Sequence, residues 1–250
     1  MLLFVIFGCT ETPPDDETSD DTATDTGPAW TAPEGGVIEL VTRDGVTLAA
    51  DYYPASSPER GAVVLLHMHP PGGFTRADWP QDLISAYGDA GLAVLAIDRR
   101  GAGDSEGDPN DAWKGEWGRY DVEAAVLRVT ADGYGAVQLV GASNGTTSMI
   151  DYAAWAAGEA LPVPTSLGYL TGGAYTETNR SMNAVPVLPS TFIYGDAEDA
   201  WSERFVDEAP PEWSFHEIAG GAHGTEMFDG SEADEVIGIL SDFAADVALP

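Results

Sequence analysis

Three short segments of this chain are apolar almost from end to end, and each stops at polar or small residues. They are GAVVLLHMH (Gly61 to His69), LAVLAID (Leu92 to Asp98) and AVQLV (Ala136 to Val140). A strand with one face in water alternates apolar and polar residues, whereas a strand covered on both faces does not. Segments this short are strands rather than buried helices.

Helical spacing fills the gaps. ADWPQDLISAYGDAG (Ala77 to Gly91) sets Trp79, Leu83 and Tyr87 four apart and stops at Gly91. GRYDVEAAVLRVTADG (Gly118 to Gly133) puts Val122, Val126 and Val129 on one face, and NGTTSMIDYAAWAAG (Asn144 to Gly158) is an Ala-rich helix. TSLGYL, STFIYG and WSFHEIAG, from Thr165, Ser190 and Trp213, read as further strands, with EDAWSERFVDEA helical between the last two. A final helix from Ser231 repeats Val236, Leu240, Phe243 and Val247, with Ser231 and Asp234 placed for a capping box. GVIELVTRDGVTLAADYY (Gly36 to Tyr53) is a hairpin turning at Arg43-Asp44-Gly45. The alternation predicts an α/β fold: a mostly parallel twisted sheet with helices on both faces and an N-terminal antiparallel hairpin. Ligands then sit beyond the carboxyl ends of the strands.

Two pentapeptides fit Gly-x-Ser-x-Gly: GASNG (Gly141 to Gly145) and GDSEG (Gly103 to Gly107). Ser143 follows a strand and opens a helix. A turn that sharp crowds the backbone, so it needs small residues two before and two after the serine. The next amide, on Asn144, lies at a helix start, where N–H groups are unpaired and the dipole favours negative charge. Ser105 lies in a long polar loop, DRRGAGDSEGDPND, with no helix after it, and reads as a turn residue.

A serine nucleophile needs a base. His223, in GGAHG after the last strand, is the favoured one, while His216 lies inside that strand and His67 and His69 precede Ser143. An acid must orient the imidazole. The loop after STFIYG offers Asp199, preferred for its place at a helix start, then Glu198, then Asp196. The second oxyanion donor is the Met68 or His69 amide after the first apolar strand. Tyr175, Trp201, Trp79 and Met227 are candidates to line the site.

With Ser143, an acid and His223 in that order, the chain resembles the α/β-hydrolase superfamily from about Gly36 to its C-terminus. LLHMHPPGG is similar to the oxyanion loop and LAIDRRGAGDSEG to the Asp-x-Arg-Gly-x-Gly-x-Ser turn, GASNG to the elbow and GGAHG to the histidine loop. It looks closest to dienelactone-hydrolase-like proteins and small esterases. Two departures stand out. His67-Met68 replaces the frequent His-Gly pair, and the acid often lies three residues past the strand's final glycine, which is Glu198 here. The resemblance implies a serine hydrolase of carboxylic esters, with a small-molecule ester as partner and neither cofactor nor metal. The roughly twenty residues between TSLGYL and STFIYG are too few for a separate lid domain. The alternative is an inactive, tethered binding or structural protein on the same fold.

Charge and the N-terminus complete the reading. The chain carries 10 basic and 42 acidic residues, a net charge of −32, which repels phosphate backbones and argues against nucleic acid as a partner. Residues 1–8 are apolar up to a lone cysteine, Cys9, and IFGC (Ile6 to Cys9) resembles the lipobox of a bacterial lipoprotein, although no Lys or Arg precedes it. The resemblance implies an exported protein, lipidated at Cys9, whose only membrane contact is that lipid. Residues 9–32 are acidic and rich in Thr and Pro, as a disordered tether would be, leaving 33–250 as the folded domain.

Overall fold

A computed structural model describes residues 30–68, 73–113, 116–172, 187–198 and 206–247. They form one sheet of eight strands in the order β1-β2-β4-β3-β5-β6-β7-β8. The hairpin strands β1 (Gly36–Val41) and β2 (Thr47–Tyr53) are antiparallel to each other, and β2 is antiparallel to β4 (Ala93–Ile97). From β4 through β3 (Ala62–Leu66), β5 (Val137–Ala142), β6 (Ser166–Leu170), β7 (Ser190–Gly195) and β8 (Trp213–Ile218) every pairing is parallel. Residues of β3, β4 and β5 are all buried, which explains their lack of alternation.

Helices cover both faces. α2 (Trp117–Ala131) and α3 (Gly145–Ala156) pack Val122, Val126, Val129, Met149 and Ile150 against one face. α1 (Gln81–Asp89) and α4 (Ala233–Val247) pack Leu83, Tyr87, Val236 and Leu240 against the other. The chain runs from β3 outward to β4, then returns past β3 to lay down β5 on its other side. This reversal opens a crevice between the carboxyl ends of β3 and β5, where open α/β sheets bind ligands. Leu66 pairs with Gly141, so continuing the register sets His67 and Met68 opposite Ala142 and Ser143.

The structure corrects three details. The helix expected from Ala77 is broken at Pro80, with a 3-10 turn over Arg76–Asp78 before α1. A capping box exists at that turn, where the Thr75 hydroxyl accepts from Ala77 N and Asp78 Oδ2 accepts from Thr75 N at 2.5 Å. At the last helix, by contrast, the Ser231 hydroxyl points to Glu232 Oε2 at 3.4 Å. Finally, Trp30, assigned to the tether, docks on the domain. Its indole Nε1 donates to Asp132 O at 2.8 Å and its ring meets Tyr134 edge-on at 5.9 Å.

Candidate active site

The site grows from the turn between β5 and α3. Ser143 has φ of +48°, in the left-handed region that L-residues with side chains rarely occupy. Its N–H donates to Leu170 O on β6 at 2.9 Å, and its carbonyl accepts from Thr146 N and Oγ1. The two glycines are required by close approach. A Cβ on Gly141 would sit 2.7 Å from Thr146 N, and one on Gly145 would overlap Leu66 O in β3. The bend is therefore pressed between its own helix and the neighbouring strand, and this pressure holds the serine in its strained conformation.

The histidine arrives from the far edge of the sheet. His223 follows β8 and starts a 3-10 turn over Gly224–Asp229. Its Nε2 lies 2.7 Å from Ser143 Oγ and its Nδ1 lies 2.6 Å from Glu198 Oε2. With a carboxylate accepting at Nδ1, the imidazole proton belongs there and Nε2 faces the serine as an acceptor. His223 and Glu198 are about one-third exposed, at 32% and 38% of their side chains, while Ser143 is 5% exposed. The hydroxyl is thus sheltered and the orienting carboxylate is wet.

Of the acids weighed from the sequence, Glu198 is the one the structure describes beside His223 Nδ1. Its amide donates to Gly195 O at 2.8 Å, closing a tight turn directly after β7 that throws the side chain toward His223. Asp199, preferred from sequence, lies outside the described residues. Asp196 is an exposed turn residue whose N–H continues the ladder to Ile218 O at 3.1 Å. His216 stays within β8, half-buried, and burial lowers its pKa.

The opposite wall is the loop after β3. Met68 is buried, and a Cβ on Gly224 would sit 2.7 Å from Met68 Sδ and 3.7 Å from Ser143 Cβ, so the loop after β3, the β5–α3 turn and the turn after β8 converge there. His69, the other proposed donor, lies outside the described residues, as do Cys9, Tyr175 and Trp201. Trp79 and Met227 do not line the site: both are buried in the core beneath α1 and α4. Ser105 stitches the loop after β4, accepting from Ala49 N at 2.9 Å and donating to Asp98 O at 2.7 Å.

Two residues were missed from sequence. Thr171, also at positive φ (+47°), accepts from Gly224 N at 3.1 Å and ties the histidine loop to the end of β6. Arg99, at the variable position of the Asp-x-Arg-Gly turn (Asp98 to Gly101), is fully buried behind the β5–α3 turn. Thr171 carries no motif. Arg99 lay in a motif noted only for its resemblance.

No family model and no curated protein matches the chain by sequence. Solved structures do match in shape. A Pyrococcus furiosus esterase superposes with a TM-score of 0.64 at 16% identity, over 86% of this chain and 93% of that one. A Xanthomonas campestris α/β serine hydrolase without a lid gives 0.65 at 18%, over 85% and 94%. A Rhodococcus esterase gives 0.62 at 16%, over 85% and 99%.

The chain has the α/β-hydrolase fold.

Within this fold, Ser143 stands at the turn from β5 to α3, Glu198 in the turn after β7 and His223 in the turn after β8. No separate lid is evident between β6 and β7 among the described residues.

Proposed function

We propose that this protein is a serine hydrolase of carboxylic esters working through an acyl-enzyme. The observation that carries the reading is the continuous hydrogen-bonded chain Ser143–His223–Glu198, at 2.7 and 2.6 Å. Ser143 Oγ attacks the ester carbonyl while His223 Nε2 takes its proton. The tetrahedral intermediate collapses as His223 returns that proton to the departing alcohol. Water, deprotonated by the same nitrogen, then attacks the acyl-serine and releases the acid. Glu198 keeps the imidazole proton on Nδ1 and offsets the positive charge the ring acquires. The Asn144 amide, at the first turn of α3, and an amide of the Met68–His69 loop stabilise the oxyanion, each by about 3–4 kcal/mol.

A cavity of about 200 Å³ lies beside the turn that follows His223, lined by Phe74, Ala77, Asp78, Pro80, Thr225, Glu226, Phe228 and Asp229. With three carboxylates in its lining, it suits a small neutral acyl or alcohol group. The acidic residues and the net charge of −32 disfavour anionic substrates. The proposed machinery needs no cofactor. Lipid anchoring at Cys9 belongs to the same proposal and places the enzyme on the cell envelope; lipid labelling that vanishes in Cys9→Ser checks it.

The test of function is fluorophosphonate labelling combined with a p-nitrophenyl ester series containing neutral and anionic acyl groups. Labelling of the wild type and not of Ser143→Ala, with turnover of short neutral esters, is expected. A wild type that neither labels nor turns over any ester sinks the reading and leaves the inactive binding protein in its place.

A further inference from the structure

Behind the elbow, two adjacent arginines are treated in opposite ways. Arg100 is matched by two carboxylates, Asp121 Oδ1 at 2.8 Å and Asp44 Oδ2 at 2.8 Å. Arg99, 0% exposed, has no carboxylate within ion-pairing distance among the described residues, and burial pushes its pKa down to about 10. Asp121, bonded to Arg100, attracts Arg99 only from beyond ion-pair distance. A buried cation without a direct ion pair is costly, and a core that needed only filling would be better served by an apolar side chain.

What Arg99 touches gives its use. Nη1 donates to His67 O at 3.0 Å and to Asn144 Oδ1 at 2.8 Å. Nη2 donates to Ala112 O at 2.5 Å, Ser148 Oγ at 2.8 Å and Asn144 O at 3.3 Å. The Arg99 amide donates to His67 Nε2 at 2.9 Å, which puts the His67 proton on Nδ1, and Nδ1 donates to Met68 O at 2.5 Å. One residue therefore grips both walls of the oxyanion site: residue 144 directly, by side chain and carbonyl, and residue 68 through His67.

We infer that Arg99 is the positioning residue of the oxyanion hole, holding the Asn144 amide and the Met68 loop at a fixed separation and placing a cation behind them. The inference rests on the hydrolase reading and assigns a role to a residue that never meets substrate. A planar fork with donors on two nitrogens holds two chain segments at once. Charge developing on the oxyanion in front of Asn144 is attracted by the buried guanidinium, in surroundings that screen it poorly.

The experiment compares wild type, Arg99→Met and Arg99→Lys. Competent sites are counted by stoichiometric fluorophosphonate titration, kcat and KM are measured per titrated site, and Ki is measured for a boronic acid that forms a tetrahedral adduct. Arg99→Met is expected to lower kcat by about 10- to 100-fold, short of outright loss of an oxyanion donor, with KM within about twofold. Ki should rise by the same factor as kcat falls. Arg99→Lys should recover part of the loss by restoring the cation without the fork. A merely structural role would reduce the number of titratable sites or the melting temperature and leave kcat and Ki per site unchanged, and that result overturns the inference. Should Arg99→Met not fold, Asn144→Ala keeps the residue-144 amide and removes its side-chain grip. The same matched change in kcat and Ki is then expected, and its absence counts equally against the inference. A wild type that does not label overturns the hydrolase reading itself and the inference with it; a labelled wild type with unaffected variants overturns the inference alone.

Discussion

Glu198→Gln tests the proposed site where its geometry is sharpest. The substitution keeps the size and the hydrogen-bonding capacity of the side chain and removes its charge. In a buried triad this change is severe, because an amide locked by its neighbours presents the wrong tautomer to the histidine. Glu198 is 38% exposed, so its amide is free to rotate and offer oxygen to His223 Nδ1. The tautomer survives, and the loss is the attraction between the carboxylate and the imidazolium that forms during attack. At about 4 Å between charge centres, that attraction is about 4 kcal/mol in a partly screened protein environment and about 1 kcal/mol in bulk water. Discounting for the exposure of both groups leaves about 2 kcal/mol, a kcat reduced by about 30-fold. Glu198→Ala, which also frees the ring to rotate, should lose several-fold more. Asp199→Asn should change kcat by less than about twofold, since Glu198 already fills the position beside His223 Nδ1. The assay is kcat per fluorophosphonate-titrated site on a short p-nitrophenyl ester. If Asp199→Asn proved the more damaging of the two, the role argued for Glu198 would be wrong.

Gly145→Ala should fold poorly, because its Cβ would overlap Leu66 O. Overpacking of about 3 kcal/mol corresponds to a melting temperature lower by about 6–12 °C, and scanning calorimetry that finds no drop would refute the packed elbow. Trp30→Ala removes an edge-on contact with Tyr134 and the bond to Asp132 O, about 1–2 kcal/mol. The melting temperature should fall by a few degrees with kcat per site intact, and an unchanged melting temperature would mean that Trp30 does not dock. Burial lowers the pKa of His216, so the unfolded chain binds this proton more readily than the native one. The stability His216 confers by staying neutral is present above the unfolded value of about 6.5 and is lost as pH falls from there through the lower native value. Urea denaturation at pH 7.5 and 5.5 should show a smaller acid loss for His216→Gln than for wild type, and equal losses would contradict the shift.

Much of the fold was legible because burial on both faces suppresses alternation in a strand. The all-buried β3 and β4 therefore announced a parallel sheet before any coordinates. The elbow was legible for a related reason: Gly141 and Gly145 are demanded by atoms within a few residues or on the adjacent strand, so local sequence records the constraint. Ser105 was separated from Ser143 by the same local logic. The pause in the helix at Pro80 was overlooked, although its cause, a missing N–H and a restricted preceding residue, was written in the chain.

Fold class, the crowded serine turn, the histidine after the last strand and the acidic charge could all be read from residues alone, since each follows from short-range periodicity, crowding or composition. That Glu198 meets His223, that Thr171 ties the turn after β8 and that Arg99 bonds residues 67 and 144 together became visible in the folded chain. Those contacts join residues far apart in the chain. Glu198 and His223 are 25 positions apart, Thr171 and Gly224 53, and Arg99 and Asn144 45. The direction a side chain takes from a turn, and what it meets there, is set by how strands stack in the sheet, and no local pattern of residues encodes that stacking.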